Sequence, residues 1–297
     1  MPAFSRSHVL TPRATATLSP RAVASSRSRF ARVRPSRAFL TLTPRLPRRS
    51  RMSGAAPVAV PAPGMTAKNL AETLARVAQA SARAARSKPA RLVAVSKTKP
   101  VSQMMECYDA GHRVFGENYV QEIVEKAPAM PADVSWRFIG HLQSNKVRAL
   151  VTGVPGLAAI ETVDSAKLAN KLNNAVKELE RAPLGVMVQV NTSGEESKHG
   201  VEPGAAVVDL AKIVRDAEHL RFEGLMTIGM PDYTSRPENF ECLRKCREEV
   251  CAALGLDVNA VELSMGMSGD FEAAVEMGSD SVRVGSSIFG ARDYSKK

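Results

Sequence analysis

The chain has 297 residues and a formal net charge of +11 at pH 7, but the positive excess sits at one end. No Asp or Glu precedes Glu72, and the first 52 residues hold 12 Arg and no Lys, which leaves 29 basic against 30 acidic residues in the remainder. The body is close to neutral, which removes the electrostatic case for a nucleic-acid partner, and no apolar run reaches the roughly 18 residues a membrane helix needs.

Residues 1–52 are rich in Arg, Ser, Thr, Pro and Ala and lack the apolar core of a secretory signal. That composition predicts an organellar transit peptide, with the Ser/Thr/Pro bias favouring a chloroplast over a mitochondrion. The competing reading is a disordered basic tail that binds RNA or membrane. Residues 53–66, rich in Ala, Pro and Gly, read as a linker, and Met52 or Met65 offers a start for a shorter, cytosolic form. The expected folded domain is 67–297, a length that fits one barrel-sized core.

An amphipathic helix is expected from Thr66 to Ser87. Short β-branched runs then alternate with helical segments. The expected strands are Leu92–Ser96, Arg113–Phe115, Trp136–Gly140, Leu157–Glu161, Leu184–Asn191, Phe222–Ile228, Val261–Ser264 and Ser281–Val284. Between them, Asp164 reads as the cap of a helix over Ser165–Glu180, Pro203 as the first turn of one running to Glu218, and Gly255 as the end of Glu238–Leu254. Eight strands separated by helices predict an α/β protein: a single (β/α)8 barrel with one extra N-terminal helix. Cys107, Cys242, Cys246 and Cys251 fit neither a zinc knuckle nor a disulfide framework and read as reduced, structural thiols.

In such a barrel the functional residues follow the C-terminal ends of the strands. Those positions hold Lys97, Gly116-Glu117-Asn118, His141 through Lys146, Glu161, Asn191 through Gly194, Gly229-Met230, Ser264 through Ser268 and Gly285-Ser286-Ser287. Loops are polar in any case, so the list alone discriminates little. Side-chain direction discriminates more. Val93, Val95 and Lys97 share one face of the first strand, and Ser281, Arg283 and Gly285 share one face of the eighth. Two cations then enter one cavity mouth, which requires carboxylates or an anionic ligand nearby. Gly/Ser turns follow strands seven and eight, and their backbone N–H groups suit a phosphate. A phosphorylated aldehyde meets both demands: Lys97 forms a Schiff base, the turns take the phosphate, and Arg283 donates to a ring nitrogen. The cofactor expected is pyridoxal 5′-phosphate, with no metal.

Six segments carry a family resemblance: Val93 to Pro100, Phe115 to Glu122, Trp136 to Lys146, Val190 to Gly200, Gly224 to Gly229, and Leu263 to Ser287. They resemble the pyridoxal phosphate homeostasis proteins, over roughly Ala67 to Asp293. The resemblance implies a barrel of the alanine racemase N-terminal type, fold type III without its C-terminal β-domain. It also implies Lys97 as the Schiff-base lysine, Asn118 near the ring, Met267 and Ser268 lining the cofactor, Arg283 at the pyridine nitrogen, and Gly285 with Ser286 on the phosphate. Gly269 and Arg137 stand at positions where variation is expected and carry no chemistry.

The function expected is a protein that buffers and delivers the cofactor in vitamin B6 homeostasis, without turnover and with no catalytic residue. Its partners are the cofactor and pyridoxal phosphate-dependent apoenzymes, and its expected assembly is a monomer or weak dimer. A permanently protonated Arg283 leaves the ring nitrogen neutral and the cofactor a weak electron sink. Of the four tyrosines, Tyr108, Tyr119, Tyr233 and Tyr294, only Tyr119 and Tyr233 stand where a second base would be sought. His141 and Lys146 form a candidate loop anion site. The alternatives are an amino-acid racemase or decarboxylase using Lys97 as base, and a sugar-phosphate aldolase in which Lys97 attacks the substrate.

Overall fold

A computed structural model describes residues 64–195, 199–228 and 237–291. The proposed leader, most of the linker, Gly229-Met230, Tyr233 and Tyr294 lie outside them. Eight parallel strands close into a barrel in sequence order: β1 (Arg91–Val95), β2 (Val114–Glu117), β3 (Ser135–Phe138), β4 (Leu157–Val163), β5 (Leu184–Gln189), β6 (Leu220–Met226), β7 (Glu262–Ser264) and β8 (Ser281–Val284). Closure is direct, with Leu92 opposite Val282 and Val93 opposite Arg283. The expected barrel is what forms.

The helices are α1 (Met65–Arg83), α2 (Val101–Asp109), α3 (Val120–Lys126), α4 (Val147–Gly153), α5 (Ala166–Glu178), α6 (Ala205–Asp216), α7 (Pro237–Leu254), α8 (Phe271–Glu276) and α9 (Ser286–Phe289). Local chemistry moves several ends from where the sequence placed them. The cap of α5 is Ser165 rather than Asp164: its hydroxyl accepts from the Leu168 N–H at 3.4 Å. Pro203 stands outside α6, which starts at Ala205 after Gly204. The first helix stops at Arg83 rather than Ser87 because Ala85 takes a left-handed φ of 50° and Arg86 bonds back to the Ser81 carbonyl. Its start at Met65 takes in the last residues assigned to the linker. Gly255 follows the end of α7 as expected.

Period-two alternation sorts the strand side chains into two layers. Leu92, Ala94, Phe115, Trp136, Phe138, Ile160, Val186, Leu225, Leu263, Val282 and Val284 are buried with the helices' apolar faces in one continuous core. Their neighbours in sequence, including Val93, Val95, Arg137, Glu161, Met187 and Arg283, are also buried but turn to the barrel interior. Helix α1 lies outside the barrel against α2, α8 and α9. Asn69 donates to the Ile288 carbonyl of α9 at 3.1 Å, and Arg76 pairs with Glu272 of α8 at 2.9 Å, so the extra helix braces the segment that follows β8.

The four cysteines are free, and burial pushes the Cys107 thiol up to about 12 and Cys246 to about 11. Cys107, Cys246 and Cys251 are buried and Cys242 is half-buried, and burial raises all four thiols, which keeps them unreactive.

Candidate functional site

At the C-terminal ends of β1 and β8 the structure holds a cavity of about 370 Å3. All seven residues singled out in the sequence line it: Lys97, Asn118, Met267, Ser268, Arg283, Gly285 and Ser286. Val95, Ile139, Met226 and Ile228 supply apolar wall, and Lys99, Gly290 and Ala291 close the rim. A cavity of this volume with a largely apolar wall and a few polar groups suits a small molecule.

Lys97 stands two residues beyond the end of β1, in a turn where Thr98 takes a φ of 61°. A β-branched residue at positive φ is strained and persists only where its surroundings hold it. Here they do. The Thr98 N–H donates to Glu122 at 2.8 Å, and the Lys126 ammonium donates to the Ser96 carbonyl at 2.9 Å, to Glu117 at 2.6 Å and to Glu122 at 2.7 Å. The Ser96 hydroxyl donates to Glu117 at 3.0 Å. Glu117 is fully buried, and burial pushes its carboxyl up from the ordinary value while Lys126 pulls it back. Sequence reasoning missed this cluster, because a Glu and a Lys nine residues apart across a strand–helix turn have no periodic signature.

The same carboxylate accepts from the Asn118 N–H at 3.1 Å. Asn118 is positioned from the neighbouring chain as well: a Cβ on Gly140 would lie 1.9 Å from the Asn118 carbonyl oxygen, so only glycine lets the segment after β3 pass so close. The Asn118 side-chain oxygen is buried and has no hydrogen-bond partner in the protein. A buried acceptor in that state calls for a donor from elsewhere.

Arg283 is buried, and burial pushes its pKa down from the usual arginine value while Glu161 and Asp270 raise it. It remains a cation. It donates to the Ser264 hydroxyl at 2.8 Å and to the Thr227 carbonyl at 2.6 Å; Ser264 donates in turn to Glu161 at 2.5 Å. Glu161 also pairs with Arg137, which reaches Glu223 at 2.8 Å. Burial works against the Glu161 carboxylate, but Arg137 and Arg283 hold it below the ordinary range. Of the two compensations the sequence allowed, carboxylates are present. Arg137, expected from the sequence only to vary, is a second buried cation, linking β3 to Glu161 of β4 and Glu223 of β6 inside the barrel.

The turn after β7 is fixed by Gly266, whose φ of 94° and 2.5 Å approach to the Ala274 methyl leave no room for a Cβ. Asp270 accepts from the Met267 N–H at 2.6 Å instead of capping α8, and Ser268 accepts from the Gly285 N–H at 3.2 Å, tying the two Gly/Ser turns together. Tyr119 is exposed and does not line the cavity, and Tyr108 is committed to Asp133. Lys146 does not line it either; His141 lies near Asp164 on the neighbouring loop.

A family model for the alanine racemase N-terminal domain matches residues 69–293. The pyridoxal phosphate homeostasis protein of Homo sapiens is 51% identical over 235 residues, covering 75% of this chain and 85% of that one. The protein of the same name from Schizosaccharomyces pombe is 49% identical over 208 residues, 69% of this chain and 85% of that one. The structure of PipY from Synechococcus elongatus PCC7942, solved with PLP bound, superposes with a TM-score of 0.61 at 30% identity, covering 76% of this chain and 100% of that one.

Proposed function

The chain belongs to the pyridoxal phosphate homeostasis proteins, and from that membership we propose that it binds pyridoxal 5′-phosphate in the β1/β8 cavity, buffering and delivering it. The observation that carries this reading is the convergence of Lys97, Asn118, Arg283 and the Gly285–Ser286 turn on one cavity of about 370 Å3. The partnerless Asn118 oxygen and the two Gly/Ser turns tied by Ser268 fit such a ligand.

When bound, the cofactor supplies an aldehyde carbon that takes the Lys97 amine with loss of water. Lys97 holds it covalently from a turn that Glu122 and Lys126 keep in place. Arg283 would present a hydrogen that it keeps to the ring nitrogen. Asn118 would orient the ring, Met267 and Met226 would supply apolar wall beside it, and the backbone turn at Gly285 and Ser286 would hold the phosphate.

The role we infer is carriage without turnover, with Tyr233 lying outside the described residues. Among the described residues the titratable groups lining the cavity are Lys97, Lys99 and Arg283, with no Tyr, His, Cys, Asp or Glu to serve as a base on the opposite face. The racemase alternative needs such a base. Residues 1–52 would carry the body to an organelle, and recipient apoenzymes would collect the cofactor from it. Purified protein assayed for its visible absorbance and for amino-acid racemisation tests the pair of statements. An absorbance lost on borohydride treatment together with no turnover supports a carrier, whereas sustained turnover supports the racemase.

A further inference from the structure

Away from the cofactor cavity, the loops after three successive strands bring metal-ligand atoms together. His141 follows β3, Asp164 is the first residue after β4, and His199 lies in the loop after β5. Each offers one nitrogen or oxygen, and the three atoms lie within 4.8 Å of one another. The imidazoles of His141 and His199 stack with centroids 3.6 Å apart and planes 12° from parallel. His141 Nδ1 stands 3.7 Å from Asp164 Oδ2, too far for a hydrogen bond. None of the three lines the cofactor cavity.

The backbone beneath these side chains is anchored. Gly140, next to His141, accepts from the Thr162 hydroxyl at 2.6 Å, and the His199 carbonyl accepts from the Gln189 amide at 2.7 Å. Val201, just beyond, exchanges hydrogen bonds with Gln189 and Asn191 at 2.9 Å each. The loops are therefore fixed to β4 and β5, while the side chains stay solvent-accessible; His141 is 41% exposed. Ligand atoms around a tetrahedral zinc ion stand about 3.4 Å apart, with each imidazole lone pair in its own ring plane, so closing on one ion asks at least one of the two stacked rings to turn about its side-chain torsions until the lone pairs converge, a change the two exposed histidines can make.

We propose that His141, Asp164 and His199 form a divalent-metal site, with two imidazole nitrogens and one carboxylate oxygen as the protein ligands. That donor set selects zinc and its first-row neighbours over magnesium or calcium, which favour all-oxygen shells. Three protein ligands leave a coordination position for solvent or an incoming ligand. The ion would bridge three strand-end loops at the same end of the barrel as the cofactor. The His141 loop also supplies Ile139 to the cavity wall and Gly140 against the Asn118 backbone.

Equilibrium dialysis of chelator-treated full-length protein against low micromolar zinc chloride, with metal counted by mass spectrometry, tests this. Wild type retains one equivalent. Asp164→Asn and His199→Ala each weaken retention by at least about tenfold, and His141→Ala/His199→Ala abolishes it, with the far-ultraviolet spectrum and the cofactor absorbance unchanged. Buried thiols compete poorly, because burial holds Cys107 and Cys246 protonated at neutral pH. Wild type that retains no zinc, or a double variant that retains as much as wild type, overturns the proposal.

Discussion

Replacing Lys126 with Met removes the cation that ties the Lys97 turn to the strand beside it. The side chain is 11% exposed, and its ammonium makes contacts of 2.6 Å to Glu117, 2.7 Å to Glu122 and 2.9 Å to the Ser96 carbonyl. Glu117, fully buried, loses its counter-charge, and breaking a buried pair on one side costs about 3–5 kcal/mol. For a body of this size that lowers the melting midpoint by roughly 6–20 °C. The pH dependence follows from Glu117. Burial raises its folded pKa above the unfolded value, and losing Lys126 raises it further. Such a group stabilises the fold below its unfolded pKa and loses that stabilisation as pH rises through the folded one. The deficit of Lys126→Met is thus smaller at roughly pH 5 than at roughly pH 8. Adding Glu117→Gln recovers more than half of it, because no buried charge is left. Thermal unfolding followed by circular dichroism reads all three. A deficit under about 0.5 kcal/mol, or one unchanged with pH, refutes the argument.

Arg283→Ala and Ser286→Ala each remove one noncovalent anchor, and titration with pyridoxal phosphate should show the Arg283 loss, worth about 1.5–3 kcal/mol, as a rise in Kd of roughly 10–150-fold. Unchanged affinity in both moves the ring and phosphate positions elsewhere. Gly140→Ala drives a methyl into the Asn118 carbonyl, and the expected readout is weakened cofactor binding with the barrel's far-ultraviolet signal retained; wild-type affinity means that Asn118 is not needed where the structure puts it. Residues 53–297 should express in soluble form and bind cofactor, while a fluorescent fusion of residues 1–60 enters an organelle. Diffuse cytosolic fluorescence contradicts the transit reading.

The barrel and the inward aim of Lys97 and Arg283 were legible because both rest on short-range patterns, whereas Asn118, Met267 and Ser268 were assigned only through the family resemblance. Alternation in Val93-Ala-Val-Ser-Lys97 and Ser281-Val-Arg-Val-Gly285 aims Lys97 and Arg283 inward, and strand closure brings them to one mouth. What escaped depends on contacts between distant strands. Nothing near Arg137 announces that Glu161 and Glu223 will meet it inside the barrel. Gly140 reads as a strand end until the Asn118 backbone is seen against it. The cap of α5 went to Asp164 because Asp and Ser are equally good caps in adjacent positions; tertiary geometry gives the cap to Ser165 and leaves Asp164 beside His141.

The central claim, cofactor carriage on Lys97, is tested most directly by Lys97→Ala. Lys97 is half-buried at a solvent-open mouth and adds little to the core, so the variant should fold with an unchanged melting midpoint. It should lose the visible absorbance and the borohydride-fixed peptide adduct, while weak noncovalent binding persists through Arg283 and the Gly/Ser turns. Wild type in the same experiment should fix one adduct at Lys97. A reducible adduct that survives in Lys97→Ala, mapped to Lys99 or any other lysine, contradicts the account.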